Sequence, residues 1–222
     1  MDRRGRALRV LAALLMLLLL GAVRPAVRPS FSCSGSLTPT EGAICADPEL
    51  AAWDRAVAKV YRVQGRDGGV SFVDQRRWLA DRNRCGSDRI CLLKAHREWL
   101  GWESQAGGFG TVFRRSDSTA NDYADLEVLP IFGGWVYFSI SAIHIKDIGI
   151  GPNNGEAWGL LQLKDGKATY DEEPGTGYGC RFHIERTEQG RWLIKEFGAT
   201  TRCGGLNVTM SGEYRQDGRL RR

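Results

Sequence analysis

The sequence predicts an α+β fold, a disulfide-stapled helical hairpin domain followed by a small antiparallel β barrel or sandwich. Three observations carry this. Apolar residues recur at spacings of three and four through residues 38–104, then alternate at spacing two from about residue 122 onward. Helix-start signals open the first part, whereas Asp-Gly and Gln-Gly turns punctuate the second. Six cysteines divide four to the first part and two to the second. The boundaries follow: a signal peptide over 1–28, a helical domain over 29–104, a Gly-, Ser- and Thr-rich linker over 105–121, and a β domain over 122–222.

The N-terminus has the order of a secretory signal. Arg3, Arg4, Arg6 and Arg9 precede an uncharged apolar run over residues 10–20, and Arg24, Pro25, Arg28 and Pro29 end it. Cleavage is expected after Ala22 or Ala26. An uncleaved anchor is the rival, although a span needs about 20 apolar residues. This predicts an exported protein, periplasmic or secreted, with no membrane span once the signal is removed. The formal charge of +5 resides entirely in residues 1–28, which hold six Arg and one Asp. The remainder is neutral and leaves no basic stripe for a phosphate backbone, so no nucleic-acid partner is expected.

Thr38-Pro39-Thr40-Glu41 reads as a capping box with proline at the first helical position, opening a short helix that ends near Cys45. Asp47-Pro48-Glu49 repeats the signal for a second helix. On it Leu50, Trp53, Val57, Val60 and Tyr61 share one face. Residues 65–69 break the chain. A third helix is expected over about 71–84, with Phe72, Trp78 and Leu79 apolar. A fourth starts near Asp88 and carries Ile90, Leu93, Arg97 and Leu100.

The second part predicts about seven short strands. Val136, Phe138, Ile140 and Ala142 form one face, Tyr178, Cys180, Phe182 and Ile184 another, and Trp192 and Ile194 a third. Val208, Met210 and Tyr214 continue the alternation. Asp165-Gly166, Gln189-Gly190 and Asp217-Gly218 mark turns.

In an exported chain disulfides are the default for Cys33, Cys45, Cys85, Cys91, Cys180 and Cys203. No C-x2-C pair or spaced histidine suggests zinc, and no cofactor is expected. Cys85 and Cys91 flank a tight turn. Cys33 and Cys45 bracket the first helix. Cys180 and Cys203 are placed on strands a hairpin apart. Local geometry therefore favours Cys33–Cys45, Cys85–Cys91 and Cys180–Cys203, the rival being a swap within the helical half.

The helical half also carries Phe31-Ser32-Cys33, the block Ile44-Cys45-Ala46-Asp47-Pro48-Glu49-Leu50, Asp54, Tyr61, Gln75-Arg76-Arg77-Trp78-Leu79, Arg82-Asn83, Cys85 and Cys91-Leu92. Over residues 31–103 this resembles the N-terminal domain of the lysozyme inhibitor LprI family. The resemblance implies a small, helical, disulfide-bonded envelope domain. The β half resembles small β domains of bacterial exported proteins through Gly179-Cys180-Arg181-Phe182 and Cys203-Gly204-Gly205-Leu206-Asn207-Val208.

Catalytic signals are sparse. His96, His144 and His183 are the three histidines, read as surface or edge-strand residues, and no G-x-S-x-G motif accompanies them. Asp171-Glu172-Glu173 precedes Pro174-Gly175 and reads as a solvated turn rather than a glycosidase pair. Trp53 and Trp78 read as core. Trp99 and Trp102, three residues apart, either dock the β half or face a partner. Arg76, Arg77 and Arg82 lie on one helix, where Arg77–Asp81 and Asp74–Arg77 have ion-pair spacing. The partner-binding candidates are thus Arg76, Arg77, Arg82, Trp99 and Trp102. A cationic face of this kind suits the acidic cleft of a lysozyme, whose catalysis rests on carboxylates. The neutral mature charge counts against steering toward a basic lysozyme. The expected function is a non-enzymatic envelope protein that binds another protein, with a lysozyme or other cell-wall hydrolase as the candidate. The rivals are an accessory module whose β domain binds glycan or peptide, and an enzyme of unrecognised type.

Overall fold

A computed structural model describes residues 27–65, 72–104, 107–146, 151–176, 179–198 and 203–217, with backbone alone at residues 72–73 and 102–104. The signal segment over 1–26 and Tyr178 lie outside the described residues. Among the described residues four helices precede an eight-stranded antiparallel sheet, so the chain is α+β. The helices are α1 (Pro39–Ala46), α2 (Pro48–Gln64), α3 (Phe72–Asn83) and α4 (Arg89–Ser104).

Both capping signals operate. The Thr38 side chain accepts from Glu41 N–H at 3.2 Å while Glu41 Oε2 accepts from Thr38 N–H at 2.8 Å. Asp47 Oδ1 accepts from the amides of Glu49 and Leu50, at 2.8 and 3.2 Å. Asp88 does the same for Ile90 and Cys91 at the start of α4. These carboxylates satisfy amides that the first turn of a helix leaves without partners.

The strands are β1 (Thr111–Arg115), β2 (Asp122–Pro130), β3 (Trp135–His144), β4 (Asn153–Gln162), β5 (Lys167–Asp171), β6 (Arg181–Arg186), β7 (Trp192–Glu196) and β8 (Gly212–Gln216). The sheet order is β4-β3-β2-β1-β8-β7-β6-β5. The two edge strands, β4 and β5, are consecutive in the chain and joined through Asp165-Gly166, so the sheet curls back on itself into a nearly closed barrel. Tyr170 packs against Gly159 at this seam, and its ring stacks on Phe182 and meets Phe138 edge-on. The interior is filled by the alternating inward residues, among them Leu126, Val128, Phe138, Ile140, Phe182, Ile184, Trp192 and Tyr214.

Strand β1 forms inside the stretch read as linker, and 105–106 lie outside the described residues. Val208 and Met210 fall in the loop before β8 rather than in a strand. The helices do not stand apart from the barrel. Trp53, Ala56, Val57, Val60, Trp99 and Leu100 form one apolar cluster with Phe109, Ile131 and Tyr137, joined by Trp135, Trp158 and Leu160. The helical layer therefore covers the outer face of β3 and β4. Tyr137 donates its hydroxyl to Leu100 O at 3.2 Å, and the loop ahead of β1 is held by Glu127, which accepts from Gly108 and Gly110 amides.

Candidate functional site

The disulfides are Cys33–Cys45, Cys85–Cys91 and Cys180–Cys203. The last does not clamp two strands. Cys180 immediately precedes β6 and Cys203 lies in the long β7–β8 loop, so the bridge ties that loop to the barrel.

Two of the sequence-predicted partner residues are inside the fold. Arg82 is 5% exposed, with Nη1 donating to Asp54 Oδ1 at 3.1 Å. Its remaining nitrogens reach Asn83 Oδ1, and its guanidinium lies over the Trp78 ring. Asp54 also accepts from Ser30 N–H at 2.7 Å, which anchors the chain entering the helical half. A guanidinium without this carboxylate would face a large desolvation cost, so the two groups are held together for structural reasons. Trp99 is 7% exposed and packs in the cluster between helices and barrel. Of its two readings, docking the β half is the one realised. Arg76 and Arg77 are exposed, and the Trp102 side chain lies outside the described residues. On the same helix Asp81 pairs with Arg84 instead of Arg77.

His96 is fully buried, not a surface residue. Its Nδ1 meets Leu92 O at 2.7 Å and its ring meets Trp78 edge-on, while Nε2 is buried without a hydrogen-bond partner among the described residues. Burial lowers its pKa, which keeps the ring neutral. Burial likewise raises the pKa of Glu127, whose oxygens already serve the loop amides. Both perturbed groups thus have structural neighbours. Asp54, Trp78, Arg82 and Asn83 thus form one structural network, with Asp54 and Arg82 buried and Asn83 exposed.

The connections that follow β1, β3, β5 and β7 leave the barrel at one end. There the segment 203–208 crosses β4. Gly205 N–H donates to Asn154 O at 2.9 Å and Asn153 Nδ2 donates to Leu206 O at 2.9 Å. A Cβ on Gly155 would sit 2.3 Å from Cys203 O, and one on Gly204 would sit 2.8 Å from the Gly155 Cα, so only paired glycines permit this approach. Asn207 takes the left-handed conformation with φ 64°, which asparagine tolerates. The result is a loop fixed by one disulfide and two strand contacts, with the Leu206 side chain 74% exposed at its tip.

Beside this loop lies a groove of about 590 Å³, lined by Glu196, Phe197 and Gly198 and by the 203–208 segment. Glu196 Oε2 is held by Thr209 and Ser211 hydroxyls. On the adjoining outer face His183 stacks on Phe197 with ring centroids 4.3 Å apart, and the Arg181 guanidinium lies near the same ring. Sequence reasoning missed Leu206 and Phe197 as site residues. The available signal was an apolar residue between Gly-Gly and Asn in a cysteine-bearing loop.

Among the described residues no group of three His, Cys, Asp or Glu side chains converges to hold a metal ion, and no helix is long and apolar enough to cross a membrane. No family model, no curated protein and no solved structure matches the chain.

Proposed function

We propose that this chain is an exported, non-enzymatic protein of the bacterial envelope that binds another protein through the β7–β8 loop, and that the partner is a lysozyme or other cell-wall hydrolase. The observation that carries the reading is the exposed Leu206 on a loop pinned by Cys180–Cys203 and by Asn153 and Asn154. A pre-fixed loop loses little conformational freedom on binding, and an exposed apolar tip supplies the anchor that such interfaces need. The three disulfides suit an oxidising compartment. The hydrolase as partner comes from the resemblance to the LprI family over residues 31–103. The test is retention of a purified wall hydrolase on the immobilised, oxidised protein. Retention that Leu206→Asp abolishes supports the reading, and no retention at micromolar concentrations rejects it.

A second reading has one observation in its favour. Phe197, framed by His183 and Arg181 at the edge of the groove, offers a ring and hydrogen-bonding groups of the kind that sugars stack upon. Wall-polysaccharide pulldown of the protein, with loss in Phe197→Ala, would favour glycan as the ligand.

A further inference from the structure

The neutrality of residues 29–222 conceals a local charge. Arg55, Lys59 and Arg62 lie at spacings of four and three along α2, on the side turned away from the apolar cluster. Their donors go to neutral carbonyl oxygens. Arg55 donates to Arg28 O at 2.7 Å and to Pro29 O at 3.1 Å, Lys59 to Pro130 O at 2.5 Å, and Arg62 to Ala58 O at 3.1 Å. No carboxylate pairs with any of the three among the described residues. Seven arginines elsewhere do have such partners. Arg82, Arg84, Arg89, Arg114, Arg115, Arg191 and Arg215 each pair with an aspartate or glutamate. Like charges at this helical spacing are destabilising, where a glutamate at one position would stabilise. The pKa of Lys59 is lowered by burial first and then by the neighbouring charges of Arg55 and Arg62.

Two features beside the ridge indicate what it meets. Phe132 is 46% exposed in the turn that follows Pro130, the residue Lys59 holds. Arg28, exposed and held through its carbonyl by Arg55, adds a further basic residue beside the ridge. Basic side chains flanked by an exposed aromatic suit the headgroup region of an anionic bilayer.

We infer that the α2 ridge of Arg55, Lys59 and Arg62, with Phe132 beside it, docks the protein on an anionic phospholipid surface. The contact is peripheral and electrostatic, and it is independent of the β7–β8 loop. Co-sedimentation with vesicles of phosphatidylglycerol and phosphatidylcholine tests it. The full oxidised protein is expected to bind mixed vesicles, to release as salt rises to about 0.5 M, and to ignore pure phosphatidylcholine. The triple variant Arg55→Gln, Lys59→Gln, Arg62→Gln is expected to lose about a hundredfold in partition coefficient. Because Arg55 also holds Arg28 and Pro29, the single reversal Arg62→Glu provides a second reading, with circular dichroism confirming the fold and binding weakened at least tenfold. Binding indifferent to lipid charge, no binding at low salt, or full binding by folded Arg62→Glu overturns the inference. So does a ridge variant that keeps vesicle binding but loses a protein partner, because the ridge is then a protein interface.

Discussion

Asp54 and Arg82 lie 28 positions apart, yet they form a buried ion pair at 3.1 Å that joins α2 to α3. Replacing one partner leaves the other charge buried and alone. Arg82→Met is expected to destabilise the protein by about 3–5 kcal/mol in urea unfolding. Adding Asp54→Leu should recover a large part of that loss, because an apolar pair avoids the desolvation penalty. An Arg82→Met variant as stable as the parent would show that the pair contributes nothing.

The buried His96 gives a pH dependence whose direction follows from its environment. Burial lowers its folded pKa below the ordinary 6.5. The unfolded chain therefore binds the proton more readily, and the associated stability is present above about pH 6.5 and lost as pH falls below it. Thermal midpoints should drop between pH 7 and pH 5, and His96→Gln should flatten this slope. An equal slope in both proteins would assign the dependence to other groups.

Much of this architecture was legible because its causes are local. Thr38 with Glu41, and Asp47 ahead of Pro48, announce their helices within four residues. The alternation of Val136, Phe138, Ile140 and Ala142 announces a barrel face. The fate of Arg82 was not legible, because its partner lies on another helix and α3 has a weak apolar face. The shared core is legible in part, through the reading of Trp99 as docking the β half, and the strand side of it is not, for a different reason. Trp135, Tyr137 and Trp158 occupy the outward face of β3 and β4, so those strands are apolar on both sides. That two-sided pattern signals a covered sheet, and it was read only for its inward half. Strand β1 was hidden in a Gly- and Ser-rich segment with five residues of its own.

The contact between helices and barrel makes a prediction against helix propensity. A Cβ on Gly101 would lie 2.6 Å from Trp158 Cζ2. Glycine to alanine in a helix interior ordinarily stabilises by about 1 kcal/mol. Here Gly101→Ala should instead destabilise by about 1–3 kcal/mol, through overpacking against the indole. Urea titration followed by tryptophan fluorescence measures the sign, and a stabilised variant would place the α4–β4 contact elsewhere.

The Cys180–Cys203 bridge encloses a sequence separation of 23 residues. Cys180→Ser with Cys203→Ser should cost about 2–5 kcal/mol. Hydrogen exchange should show the largest loss of protection at Gly205, whose amide is held by Asn154 O, with little change in α2. Uniform loss of protection would mean that the bridge supports the whole fold and does not selectively pin the loop.

The rate of cell-wall lysis by a muramidase, titrated with excess oxidised protein and with Leu206→Asp in parallel, tests the functional reading most directly. The predicted result is lysis that slows as the parent protein is added, with Leu206→Asp weaker by about thirtyfold, as loss of an interface anchor worth about 2 kcal/mol implies. Undiminished lysis at saturating excess of the parent protein, or equal inhibition by the two proteins, would contradict it.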